Sequence, residues 1–162
     1  MSATPLVVPQ WIPDQINAET LYKVGDAVSI GDLLYYDSGT NTMRPAEKFA
    51  DGGTAAATWA SFQPLFAGVA NSQQLAIDTV GHVARVLQDY ELEFPCVSGT
   101  FLLGDYVAPQ YLAGLKSQVL DKTTVRAQAI GRTIKAYPVA TTRIKVRLTS
   151  LLLSGLTVSS AA

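Results

Sequence analysis

Ser29-Ile30-Gly31-Asp32-Leu33-Leu34 returns 73 positions later as Leu102-Leu103-Gly104-Asp105-Tyr106-Val107. Each copy is a Gly-Asp turn running into an apolar strand start. Downstream of each comes a strand rich in small apolar residues, Leu65-Phe66-Ala67-Gly68-Val69-Ala70 in the first copy and Ala127-Gln128-Ala129-Ile130-Gly131-Arg132 in the second. Each copy then closes on an alternating basic strand, Val83-Ala84-Arg85-Val86 and Arg143-Ile144-Lys145-Val146-Arg147-Leu148. A repeat on this scale sets the architecture before any single element is considered. It predicts an all-β chain: a single compact β-barrel or sandwich with an approximate internal repeat, two-fold in character, and room for one short helix.

Gly-Asp pairs at Gly25-Asp26, Gly31-Asp32 and Gly104-Asp105 read as turn chemistry, since glycine permits positive φ and aspartate bonds nearby backbone. Single acids beside strands do not supply the regular oxygen ligands of a calcium loop. The cluster Asp37-Ser38-Gly39-Thr40-Asn41 predicts a hairpin. Thr54 is positioned to cap a short helix through Ala55-Ala56-Ala57 to Phe62, stopped by Pro64. Later strands are predicted over 83–94 (one, or two with a bend at Gln88), 101–107, 115–120, 125–134 and 143–152, with residues 71–82 as a loop or short strand. Short strands at about ten-residue spacing with turn signals are the pattern of a sandwich or barrel.

Three regions follow: an extended arm over 1–20, a β-rich body over 21–152 and a tail over 153–162. In the arm, Pro5, Pro9 and Pro13 forbid a continuous helix and favour an extended path. Leu6, Val7, Val8, Trp11 and Ile12 give that strip more apolar surface than it can bury against itself. It either folds back along its own body or docks on a neighbouring protein, by strand addition or groove filling.

With 162 residues the chain is long enough for a real core. Its 15% charged residues fall below the usual quarter, which leaves much neutral surface of the kind that meets other proteins. A net charge of -1 recommends neither nucleic acid nor an anionic membrane as a partner. A single cysteine, Cys96, allows no internal disulfide. The absence of a signal-like start or an apolar run of spanning length makes synthesis in a reducing cytoplasm the expectation.

Candidate chemistry is sparse. His82 and Cys96 could form a nucleophilic pair only if the fold joined them, and a loop histidine beside a buried thiol is the simpler reading. No catalytic motif is legible, and no metal or cofactor is expected. Asp89, Glu91 and Glu93 alternate with Tyr90, Leu92 and Phe94, so a strand would place the three acids on one face. They could hold a hard cation, face solvent, or lie beside the basic row Arg143, Lys145 and Arg147, within one subunit or across a subunit boundary. Trp59, Tyr35, Tyr36 and Tyr111 could line a carbohydrate or ligand pocket, although isolated aromatics in a β protein more often serve core or interface.

The run Val28-Ser29-Ile30-Gly31-Asp32-Leu33-Leu34-Tyr35-Tyr36-Asp37-Ser38-Gly39-Thr40-Asn41-Thr42, with Phe66-Ala67-Gly68-Val69-Ala70, Ala129-Ile130-Gly131-Arg132 and Thr141-Thr142-Arg143-Ile144-Lys145-Val146-Arg147-Leu148, resembles the capsid decoration, or cement, proteins of tailed bacteriophages. The resemblance covers about 21–150. It implies a compact β-barrel body of the β-tulip kind with an extended N-terminal arm, and a non-enzymatic homotrimer on the outer face of the virion head, bridging major capsid proteins, with the arm residues Leu6, Val7, Val8, Trp11 and Ile12 as the capsid grip. Asp89, Glu91, Glu93, Arg143, Lys145 and Arg147 are the candidate subunit interface. A head-fibre base or tail component, or a carbohydrate-binding barrel, are the rival roles. The insertion over 51–60 and the long tail depart from the family pattern.

Overall fold

A computed structural model describes residues 19–73, 83–87 and 89–150, and the side chains of 24–73 and 91–150. The apolar arm residues Leu6 to Ile12, His82 and the tail over 153–162 lie outside the described residues.

Five strands form a first sheet: β1 (Glu19–Lys23), β2 (Leu33–Asp37), β3 (Thr42–Pro45), β4 (Phe66–Ala70) and β5 (Val83–Leu87), in the order β1-β5-β4-β2-β3. Five more close into a barrel: β6 (Asp89–Phe101), β7 (Tyr106–Tyr111), β8 (Leu115–Thr123), β9 (Gly131–Thr133) and β10 (Tyr137–Thr149), around the circuit β10-β6-β8-β7-β9. The all-β class and the barrel stand as expected.

The repeat holds in strand order, although the first five strands form an open sheet and the second five a closed barrel. Substituting β6 for β1, β10 for β5, β9 for β4, β7 for β2 and β8 for β3 turns one strand order into the other. Registers agree as well. Leu33 pairs with Val69 and Leu34 with Gly68, as Tyr106 pairs with Arg132 and Val107 with Gly131. Ala70 lies opposite Val86 as Thr133 lies opposite Val146. The parallel contact that closes the barrel, Cys96 with Leu120, has its counterpart in the parallel bridge between Val24 and Met43. Each half is thus one five-strand module. The register aligns Gly68 with Gly131, one residue away from the match read in the sequence, because the glycines and not the flanking alanines hold equivalent positions.

The turns repeat atom for atom. In the first module Asp32 N–H donates to the Ser29 carbonyl at 3.1 Å and its carboxylate accepts from Ser29 N–H at 2.7 Å. In the second, Asp105 N–H donates to the Leu102 carbonyl at 3.2 Å and its carboxylate accepts from Leu102 N–H at 2.8 Å. The third turn residue must take positive φ in this closure, and Gly31 and Gly104 do so at 91° and 86°. Gly31 N–H and Gly104 N–H then bond the carbonyls of Ala70 and Thr133, both at matching 2.8–2.9 Å.

Packing breaks the symmetry. A small cluster of Val24, Val28, Leu34, Met43, Ala67 and Ala70 fills the first module's interior. The other face of β2 and β4 carries Leu33, Tyr35, Phe66 and Val69, which join the second module's core residues Phe94, Val107, Leu120 and Ile144 in one cluster. Phe66 and Val69 share a face although three apart, because the pairing shifts by one residue between Leu34 and Tyr35 and bulges β4. At the positions equivalent to the buried Leu33 and Val69, the second module has the half-buried Tyr106 and the exposed Arg132. An isologous two-fold contact would bury both sets alike. The expected two-fold character is therefore corrected: the modules meet through different faces, and the second module's copy of the face is turned polar.

The insertion builds the seam. Helix α1 (Ala55–Phe62) begins where the cap was predicted, with Thr54 Oγ1 accepting from Ala57 N–H at 3.2 Å, and it runs into a 3-10 turn at Pro64. Thr58 and Phe62, one turn apart, form its buried stripe. Phe62 packs on Phe49, Tyr35 and Phe66 with ring centroids 5.2–6.0 Å apart. Trp59 donates its indole N–H to the Pro109 carbonyl of β7 at 2.7 Å, tying the insertion to the second module. Ser150 and Ser117 add bonds across the same seam, to the Phe66 carbonyl at 2.7 Å and from Glu47 N–H at 3.0 Å.

Several boundaries differ from the sequence reading. β1 starts at Glu19, inside the predicted arm. The run over 83–94 is divided between the modules, β5 pairing in the first sheet and the start of β6 in the barrel, which places the module junction between Leu87 and Asp89. The predicted strand over 101–107 is a strand end, a turn and a strand start. That over 125–134 holds a 3-10 turn (Arg126–Gln128) and only three strand residues, while the last strand begins at Tyr137 rather than Arg143. Pro138 and Arg143 both lie in bulged pairing, which hides the strand from a two-residue periodicity.

Candidate interaction surfaces

The charged rows lie side by side within the chain. β6 and β10 pair antiparallel, setting Arg147 opposite Glu91, Lys145 opposite Glu93 and Thr149 opposite Asp89. Period-two alternation sends Ile144, Val146 and Leu148 inward, where each is almost wholly buried, and leaves the charged residues exposed. Arg143 sits opposite Pro95 and reaches Glu93 diagonally, its Nε donating to Oε1 at 2.8 Å. That bond, followed by the Arg143 and Lys145 charges, holds Glu93 below the ordinary carboxylate range. The side chain of Asp89 lies outside the described residues. The rows therefore present a ladder of alternating sign, not a block of one charge.

Other charges are also committed locally. Arg44 is paired with Asp26 and Asp37, at 3.0 Å to the latter, which lowers Asp37 and raises Arg44. Lys122 pairs with Asp105: burial is the largest single influence and pushes that carboxyl up, but the Lys122 hydrogen bond, the Leu102 N–H and the Lys122 charge together leave Asp105 lowered. Arg132 lies 4.9 Å over the Tyr106 ring, and Lys135 lies 5.6 Å over Tyr137. Among the described residues no group of three or more His, Cys, Asp or Glu is disposed to hold a metal ion.

Of the aromatics considered as pocket lining, Tyr35, Trp59 and Tyr111 belong to the shared core or pack against it, and Tyr36 packs on the first module's own cluster. Tyr35 is buried in the seam, and burial raises its phenol above the ordinary value. Trp59 is held by Pro109, Tyr36 donates to Asn41 at 2.7 Å on the β2–β3 hairpin, and Tyr111 donates to Asp51 at 2.9 Å. Cys96 is buried, and burial raises its thiol. Its Sγ lies 3.6 Å from the Thr141 carbonyl.

What the sequence reading missed is where the apolar surface goes. The large apolar side chains left exposed include Ile30, Leu102, Leu103 and Val139, at 63%, 69%, 71% and 77%. Three of them sit on the twin Gly-Asp turns. The available signal was the aliphatic residue immediately before Gly31-Asp32 and Gly104-Asp105, a position that these two turns leave exposed, whereas Val24, before Gly25-Asp26, is buried.

The chain matches no protein-family model and no curated protein.

Proposed function

We propose that this is a non-enzymatic virion structural protein that decorates the outer surface of a tailed-phage head and braces its major capsid protein lattice. The observation that carries the reading is the body itself: two copies of one β module fused by a shared core, with charges paired locally and apolar side chains on its turn tips. Such a body is a rigid clamp, and a clamp needs several weak contacts rather than one chemical centre. Linking contacts raises avidity by orders of magnitude without a strong one among them. The chain is synthesised in the host cytoplasm and ends on the virion, as a homotrimer. Nucleic acid and membrane are not its partners.

In this reading the arm residues Leu6, Val7, Val8, Trp11 and Ile12 grip the shell, because the sequence sets an apolar strip among three prolines, a composition that favours an extended path and lowers the entropy lost on docking. The ladder of Glu91, Glu93, Arg143, Lys145 and Arg147, with Asp89 at its end, borders a neighbouring subunit, where alternating sign fixes register.

The test is co-sedimentation of the purified chain with emptied heads that lack it, with light scattering on the free protein. Binding that saturates at a fixed ratio to capsid subunits, from a species near three times 17.3 kDa, is the expected result. A chain that stays in the supernatant at every concentration defeats the proposal.

A further inference from the structure

The twin turns carry an apolar residue that the fold does not require. Glycine and aspartate at the last two turn positions are explained by positive φ and by the bond back to the turn's first N–H. The first position has diverged, from Ser29 to Leu102. The second has stayed large and aliphatic, Ile30 and Leu103, at 63% and 71% exposure. Neither is in a buried core cluster, so packing does not account for them. An exposed aliphatic at a turn tip gains nothing in the free protein, and a polar residue would serve the turn equally. Its presence at the same place in both modules calls for a partner beyond the described residues.

We propose that Ile30 in the first module, and Leu102 with Leu103 in the second, are paired anchors that seat in equivalent apolar sockets on neighbouring subunits of the shell. This deepens the decoration reading and rests on it. The occupant follows from area and from repetition. A stable pair of proteins buries roughly 800 Å² on each side through about 20–30 residues. Three side chains fall several-fold short, so the tips cannot by themselves hold a second copy of this chain. They gain purchase where the body is already held by other contacts. Two like tips on one rigid body are matched by a partner offering one socket more than once, which is what a lattice of identical subunits presents. The tips themselves are uncharged, since Asp32 and Asp105 turn their carboxylates inward onto Ser29, Gln118, Leu102 and Lys122. The complementary socket is therefore apolar and neutral.

The experiment measures binding of the full chain to emptied heads for Ile30→Ser, Leu103→Ser, the double variant and the control Val139→Ser, which alters an exposed aliphatic away from the turns. Each single tip variant is expected to weaken binding roughly tenfold, and the double by roughly the product, with the control at wild-type affinity. Melting temperatures are expected to stay at wild type, and Ile30→Thr with Leu103→Thr repeats the test should a serine variant melt early. Wild-type binding by the double variant overturns the anchors and leaves the decoration reading standing. Loss of self-association instead of head binding assigns the tips to a second copy and overturns the lattice socket. Failure of the wild-type chain to bind heads removes both.

Discussion

Replacing Phe62 by alanine tests whether the two modules are one cooperative body. Phe62 has no exposed surface and sits among Tyr35, Phe49 and Phe66 at the point where α1 joins the modules. Losing the buried ring forfeits about 2–3 kcal/mol of transfer free energy. The space left among three rings that belong to a strand, a loop and a strand collapses poorly, so a cavity cost of about 1–2 kcal/mol adds to it. The sum, about 3–5 kcal/mol, is a large part of the roughly 5–15 kcal/mol a domain typically has. For a chain of this size it corresponds to a fall in melting temperature of roughly 6–20 °C. Urea unfolding followed by far-UV circular dichroism and by tryptophan fluorescence is the assay. A single transition, moved to lower urea and coincident by both probes, is expected. Two transitions, one of them at the wild-type midpoint, would show that the barrel stands alone and that the shared core is wrong. So would a loss below about 1 kcal/mol, which no fully buried phenylalanine in a joint core should give.

Three other outcomes follow from the same structure. Gly104→Ala has open space for its Cβ but φ of 86°, so it should cost about 1–2 kcal/mol as backbone strain, whereas Gly131→Ala should cost more, because its Cβ would press on the Arg147 carbonyl and lie 2.7 Å from Leu148 Cδ2; equal thermal melts for the two would refute that ranking. The seam bond between Tyr111 and Asp51 should be pH-dependent in both directions. Gly53 N–H and the Tyr111 hydroxyl lower Asp51, so its contribution is complete above the ordinary 3.8 and disappears as pH falls through the depressed value. Bonding to Asp51 raises Tyr111, so that contribution is present below 10.0 and disappears as pH rises through the elevated value. The stability gap between wild type and Tyr111→Phe should thus be flat near neutrality and shrink at both extremes, and a gap unchanged in strong acid would exclude the Asp51 carboxylate as partner. Finally, Lys145→Glu should lower stability by setting a like charge opposite Glu93, and Glu93→Lys in the same chain should recover part of the loss but not all, because it removes the Arg143 bond; a double variant no better than the worse single variant, by thermal melting, contradicts the register.

Much of this fold was legible because turn chemistry is local. Gly31-Asp32 and Gly104-Asp105 announce the same backbone conformation, and the strands after them keep the same pairing. The cap at Thr54 and the stop at Pro64 were readable for the same reason. The seam was not. Leu33 and Tyr106 look alike as strand starts, yet one is buried and the other is half-buried under Arg132. That difference depends on which module packs on which face, a contact between residues far apart in sequence. The insertion over 51–60 had no visible purpose until Trp59 reached Pro109 and Tyr111 reached Asp51, bonds spanning 50 and 60 residues. Opposed charges on β6 and β10 were suggested by alternation, but which acid meets which base depends on the strand register, which sets Lys145 opposite Glu93 and Arg147 opposite Glu91. The exposed tips escaped notice because Ile30 and Leu103 sit next to strand residues and read as their continuation.

The most direct measurement is an image reconstruction of heads prepared with and without this chain. The account predicts added density at symmetry-related positions across the outer shell, each the size of a few two-module bodies, with their turn tips toward capsid subunits. Density confined to the portal, the tail or a single fibre attachment, or a shell that looks the same in both preparations, would contradict it.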